Sequence, residues 1–103
     1  MNDKLLGLLG IARRGGKLII GFEMCSEAIE KSRAKLIIVA SDTAKRTEKE
    51  LRFKAGERPV EIIRISADKF NLSKAIGTSA GVIAVCDEGF AKRASELINQ
   101  GGN

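Results

Sequence analysis

The sequence predicts an α/β fold: one central sheet, at least partly parallel, with helices on both faces. Three observations carry this. Segments with apolar residues at helical spacing alternate with short apolar runs of strand length, in the order α-β-α-β-α-β-α-β-α. The run Leu36-Ile37-Ile38-Val39-Ala40 is apolar without a break, as a strand covered on both sides requires. Glycines punctuate the segments, at Gly15-Gly16, Gly21, Gly56 and Gly77.

The elements follow in order. Asn2 or Asp3 caps a first helix carrying Leu5, Leu8, Leu9 and Ala12. Gly7 and Gly10 weaken it and Gly15-Gly16 stop it. Lys17 to Ile20 forms a short strand, and Gly21 turns the chain into a second helix. There Cys25, Ala28 and Ile29 make the apolar face, while Glu23, Glu27 and Lys31 repeat every four residues on another. Lys35 to Ala40 is the central strand, and Ser41-Asp42-Thr43 supplies the next turn and helix cap. Ala44 to Ala55 is mostly charged, a peripheral helix with Leu51 and Ala55 facing inward. After Pro59 comes the strand Val60 to Ile65. Ser66 or Asp68 opens a short helix through Leu72, Ala75 and Ile76. Gly81 to Cys86 is the last strand. Asp87-Glu88 start the last helix, whose Phe90, Ala91, Ala94, Leu97 and Ile98 form an amphipathic face. The tail from Asn99 to Asn103 is expected to fray.

The chain has 103 residues, the size of a single domain with one core, taken as residues 1–103. No apolar run reaches the about 20 residues of a membrane span. The N-terminal LLGLLGIA leads into Arg13-Arg14, not a cleavage site, so a cytoplasmic protein without a signal peptide is expected. Cys25 and Cys86 lie far apart among apolar neighbours, as buried thiols would. Histidine is absent and there is no C-x-x-C pair. Those absences remove the common zinc sites and the histidine-based nucleophile pairs. No cofactor or metal is expected.

Net charge is +5, and its placement is uneven. Residues 1–58 hold 13 Lys/Arg against 8 Asp/Glu, whereas residues 59–103 hold 5 against 5. One basic face is expected from this, and nucleic acid is one partner that fits it. Three stretches could carry recognition. The helix opening at Gly21 offers free backbone N–H groups, with Glu23, Met24 and Glu27 projecting from its first turns. A glycine that only makes the turn is the plainer alternative. The small-residue loop Gly77-Thr78-Ser79-Ala80-Gly81 allows close packing and carries two hydroxyls; an ordinary connection explains it equally well. The basic set includes Arg13, Arg14, Lys17, Lys31 and Arg46. Trp and Tyr are absent, and of the four Phe only Phe22 sits beside this face; Phe53, Phe70 and Phe90 read as core or rim. Stacking along a single strand is therefore disfavoured, and a folded RNA shape fits better.

Three motifs in order make a more specific pattern: LLGLLGIARRGGKLIIGFEMCSEAI, RAKLIIVASD and IGTSAGVIAVCDEGFAKR. Together they resemble the bacterial YlxQ-type branch of the ribosomal protein L-seven-Ae / L-thirty-e family, from about Leu5 to Ile98. The resemblance implies a three-layer α-β-α sandwich around a mixed, four-stranded sheet. It also implies non-enzymatic binding of a kink-turn, a bent duplex with tandem sheared G·A pairs. In kink-turn binders a Gly-x-Asn-Glu-x-x-Lys run at the second helix reads those pairs, and a loop before the last strand covers a flipped nucleotide.

Carried over by position, Gly21 matches the glycine, Glu23 stands at the asparagine, Met24 at the glutamate and Glu27 at the lysine. Lys17 matches a basic position before the run, and Thr78, Ser79 and Ala80 occupy the covering loop. Arg13, Arg14, Lys31 and Arg46 are then expected to position the RNA backbone. An ionised Glu23 only accepts hydrogen bonds, Met24 lacks the carboxylate, and Glu27 repels a phosphate. The expected partners are structured RNA, ribosomal RNA included, and ribosomal or translation-related proteins, with the chain a monomer. Two alternatives are a protein-interaction module on the same fold and a small enzyme binding a phosphorylated ligand at Gly77–Gly81.

Overall fold

The computed structural model describes residues 3–100 and contains nine elements in the expected order. They are α1 (Asp3–Arg14), β1 (Leu18–Ile20), α2 (Phe22–Glu30), β2 (Leu36–Val39), α3 (Lys45–Ala55), β3 (Glu61–Arg64), α4 (Lys69–Ile76), β4 (Val82–Val85) and α5 (Glu88–Gln100). Asn2 and residues 101–103 lie outside the described residues, and so does part of the tail expected to fray. Asn99 and Gln100 continue α5.

The four strands form one sheet in the order β1-β4-β2-β3. The β2–β3 pairing is parallel; β4 pairs antiparallel with both β1 and β2. The sheet is mixed, and β2 and β4 occupy its centre. All four residues of each central strand are buried. Edge strands β1 and β3 are only partly covered.

The sheet divides the apolar interior in two, so the single core expected from chain length is a pair of layers. Side chains alternate across a strand, and helices cover both faces. Leu36 and Ile38 of β2 and Ile83 and Val85 of β4 face Leu5 and Leu9 of α1, Leu72 and Ile76 of α4, and Ala94, Leu97 and Ile98 of α5. On the other face, Ile37, Val39, Val82 and Ala84 meet Cys25, Ala28 and Ile29 of α2 and Leu51 and Ala55 of α3. This is the three-layer α-β-α sandwich.

Gly10 weakens α1 as an isolated helix but is needed where α1 crosses α4. A β-carbon there would lie 2.8 Å from the Ala75 carbonyl oxygen. Two caps form as expected: Asp68 accepts from the Asn71 N–H at 2.8 Å, and Asp87 accepts from the Phe90 N–H at 2.8 Å. The cap expected for α3 does not form. Its N-cap is Ala44, with no side-chain bond. Thr43 instead donates its hydroxyl to the Gly81 carbonyl at 2.9 Å, and Asp42 accepts from the Lys69 N–H at 2.8 Å. Both polar side chains stitch neighbouring loops together, which only the folded arrangement brings within reach.

Candidate nucleic-acid interface

Because β1, β2 and β3 run one way and β4 the other, one edge of the sheet collects the ends of the first three and the start of the fourth. This upper edge holds the start of α2, the loop 40–44, the segment 66–68 and the loop 77–81. Backbone bonds tie them together. The Gly21 N–H donates to the Val82 carbonyl, and the Ala40 N–H to the Gly81 carbonyl, both at 2.9 Å. Two candidate stretches separated by more than fifty residues in sequence are thus neighbours.

Gly21 has φ 94° and ψ 155°. That combination lies close to a backbone region reserved for glycine. It lets the strand turn directly into α2, with no side chain capping the helix. The first intrahelical donor is Cys25, bonded to the Gly21 carbonyl at 2.9 Å. The N–H groups of Phe22, Glu23 and Met24 therefore point out of the first turn without a partner among the described residues. Glu23 and Met24 are exposed, and Phe22 is half-buried. Glu27, one turn on, is not a bare negative charge. It pairs with Lys31 at 3.0 Å, and the pair is close to neutral.

In the facing loop, Gly77 adopts φ 80° and closes α4. Ser79 is exposed and Thr78 half-exposed. Ala80 is not a surface residue: it is 4% exposed and belongs to the core. Its N–H donates to the Ser73 hydroxyl at 2.9 Å, which holds the loop against α4. The part of the loop open to solvent is therefore Gly77–Ser79.

The basic residues divide. Arg46 lies in the first turn of α3 near the upper edge, exposed and paired with Glu50 at 3.3 Å. Arg13, Arg14 and Lys17 lie elsewhere. The Lys17 carbonyl accepts from Cys86 N–H at 2.9 Å, at the lower edge where β1 begins and β4 ends. Four residues of extended chain separate Lys17 from Gly21, or about 13 Å. Lys31 sits at the far end of α2, also away from the upper edge. Proximity in sequence to Gly21 therefore does not make these residues part of one surface with it.

Two features were not legible in the sequence. Lys69 lies against the loop: a β-carbon on Gly81 would be 3.7 Å from its Cδ. This brings an exposed cation to the upper edge from α4. Phe53 is 87% exposed and Phe70 68% exposed, so neither is core. Phe53 lines an open cleft of about 720 Å³ between α2 and α3, with Phe22, Glu23, Ser26, Arg46 and Lys49. The Cys25 thiol is the reverse of a reactive group. Burial, with Cys86 nearby, pushes its pKa up to about 12. Among the described residues no group of side chains could hold a metal ion. Among the same residues no helix is long and apolar enough to cross a membrane.

The mixed sheet, its two helical layers and the joined helix-start and loop define a class of small three-layer α-β-α proteins. Residues 3–95 match the ribosomal protein L7Ae/L30e/S12e/Gadd45 family, and the chain belongs to it. It is 34% identical over 97 residues to the RNA-binding protein YlxQ of Enterococcus faecium, covering 94% of this chain and 93% of that one. To the RNA-binding protein YlxQ of Bacillus subtilis it is 31% identical over 93 residues, covering 89% and 92%. A Bacillus halodurans protein of unknown function has a similar structure, with TM-score 0.88, 33% identity and coverage of 93% and 97%. A Giardia lamblia 15.5 kD RNA-binding protein shares the fold, with TM-score 0.74, 18% identity and coverage of 97% and 89%.

Proposed function

We propose that this chain is a non-enzymatic RNA-binding protein that recognises a bent, kink-turn-like RNA through the start of α2 and the loop before β4. The observation that carries the reading is the Gly21–Val82 hydrogen bond, which holds the helix start beside the Thr78–Ser79 loop. The two full-length relatives named as RNA-binding proteins support it. At this edge the open N–H groups of Phe22 to Met24 face a phosphate or a base acceptor. The Glu23 carboxylate accepts from guanine imino and amino groups, which purine-rich bends expose. Met24, 53% exposed, supplies an apolar contact, and Ser79 and Lys69 reach backbone oxygens. Because Glu27 is paired with Lys31, its charge repels RNA less than its position suggests. Ribosomal RNA and a monomer in the cytoplasm fit this reading.

The test compares binding of a kink-turn with the same duplex lacking its G·A pairs. A preference for the intact kink-turn that falls in Glu23→Ala and Gly21→Ala is expected. Equal affinity for both RNAs refutes the bend-specific reading. The exposed Phe53 beside the α2–α3 cleft favours a second reading, a protein partner docked there. Pull-downs that retain a partner after nuclease treatment, and lose it in Phe53→Ser, would select it.

A further inference from the structure

The lower edge of the sheet is a separate cationic surface. Lys17, Cys86 and Lys35 stand in one row across β1, β4 and β2. The Cys86 N–H donates to the Lys17 carbonyl at 2.9 Å, and the Lys35 N–H donates to the Val85 carbonyl at 2.8 Å. Strands lie about 4.8 Å apart, so Lys17 and Lys35 are about 10 Å from each other. Arg33 precedes Lys35 by two residues, and Arg13 lies in the last turn of α1 next to the turn that leads into Lys17; the Gly16 N–H donates to the Arg13 carbonyl at 3.1 Å. All four cations are exposed, and none makes an ion pair among the described residues. Arg33 and Lys35 both lie near enough to act on the half-buried Cys86 thiol, opposing the burial that raises its pKa.

Asp87, which caps α5 through the Phe90 N–H, Glu88 in that helix's first turn, and Glu61, which opens β3 beside Leu36 and accepts from the Ser95 hydroxyl at 3.2 Å, also stand at this edge and keep their charges. Among the described residues none of them pairs with the four cations. Glu27 is already paired with Lys31. Arg14 is left out of the patch, because its guanidinium folds back along α1 to 3.6 Å from a β-carbon built on Gly10. Arg13 has an alternative role, stabilising the negative end of the α1 dipole. That role does not extend to Lys17, Arg33 and Lys35, which begin or precede strands.

We infer that Arg13, Lys17, Arg33 and Lys35 form a second RNA-backbone surface, on the opposite edge from the α2 start. With it, one molecule can hold two RNA segments at once. The inference rests on the RNA-binding reading above but uses none of the same residues. The partner is a phosphate backbone read without regard to sequence, since the patch offers point charges and no aromatic or apolar element.

The experiment immobilises a kink-turn RNA, saturates it with the full chain and then supplies a labelled, fully paired RNA duplex. Wild type is expected to capture the duplex. The variant R13A/K17A/R33A/K35A should bind the immobilised kink-turn as wild type does yet capture at least tenfold less duplex. The charge-preserving variant R13K/K17R/R33K/K35R should capture as much as wild type. Equal capture by the alanine variant overturns the inference, as does absence of capture by wild type, or loss of capture in the charge-preserving variant with its fold intact by circular dichroism. Should wild type fail to bind the kink-turn, the upper-edge reading fails, and direct titration of the duplex decides the lower edge alone. There, each phosphate that the alanine variant no longer neutralises should reduce the salt-dependence slope by about 0.7 to 0.9. An unchanged slope refutes the patch.

Discussion

Replacing Arg64 with methionine removes the side chain that ties the upper edge to the sheet. Arg64 ends β3 and reaches the loop between β2 and α3. Its Nη1 donates to the carbonyls of Ala40, Ser41 and Thr43 at 3.1, 3.0 and 2.7 Å, and its Nε pairs with Glu48 at 2.8 Å. Nη1 carries two hydrogens, so three acceptors share two bonds. At about 1.5 kcal/mol for a hydrogen bond from a charged group, these contribute about 3 kcal/mol. The ion pair is partly screened, with the Arg64 side chain 27% exposed, and adds on the order of 1 kcal/mol. Two effects reduce the total. The freed Ser41 carbonyl, on an exposed residue, regains water, and in the wild type Nη2 is buried without a partner among the described residues. A net loss of about 3 kcal/mol follows, or a fall in Tm of about 12 °C for a domain of this size. Thermal unfolding followed by circular dichroism measures it. Arg64→Lys, which keeps the charge but not the fork of donors, should recover less than half. A fall of under about 3 °C in Arg64→Met would refute the claim that this arginine organises the edge. The same network sets an acid response. Burial raises the Glu48 pKa, but hydrogen bonds and charge from Arg52 and Arg64 outweigh it and hold the group below its ordinary 4.5. A carboxylate depressed on folding adds stability that is complete above the unfolded value and is lost as pH falls through the folded one. Wild type should therefore lose stability below pH 4.5 more steeply than Glu48→Gln.

Three further outcomes are expected. Gly21→Ala forces an alanine into φ 94°, at a cost of about 1–3 kcal/mol by urea unfolding, and should weaken RNA binding beyond that loss. Gly7→Ala and Gly10→Ala, both in α1, should have opposite signs. A β-carbon on Gly7 meets nothing within 4 Å and gains up to about 1 kcal/mol of helix propensity. At Gly10 the 2.8 Å approach to Ala75 outweighs the same gain and leaves a net loss of about 1 kcal/mol. For Cys25, the folded thiol keeps its proton to about pH 12 whereas the unfolded one releases it near 9.0. Stability should therefore fall as pH rises above 9.0, and Cys25→Ala should flatten that fall; identical alkaline profiles would count against a buried, neutral thiol.

Local patterning along the chain is enough to settle the number, type and order of the elements. Hydrophobic period separates helix from strand locally, and an unbroken run such as Leu36–Val39 can be buried only at the centre of a sheet. The same patterning settles which residues begin α2, because the backbone Gly21 adopts is open to glycine alone. The motifs at Gly21 and at Thr78–Ser79 are visible as candidates for the same reason: their chemistry is local.

Everything that depends on pairing is settled in the folded chain. The order β1-β4-β2-β3 places the last strand between the first two, and no local pattern encodes that choice. Running β4 against its neighbours then brings loop 77–81 to the start of α2 and sends Lys17 to the other edge, although Lys17 is only four residues from Gly21. Thr43 and Asp42, plausible caps for their own helix, are recruited by Gly81 and Lys69 because those groups arrive in space and not in sequence. Phe53 is left exposed on α3 because Leu51 and Ala55 already fill the inward face of that helix. A strand carries its chemistry to one end or the other, and which residues share that end is set by the direction of the strands beside it.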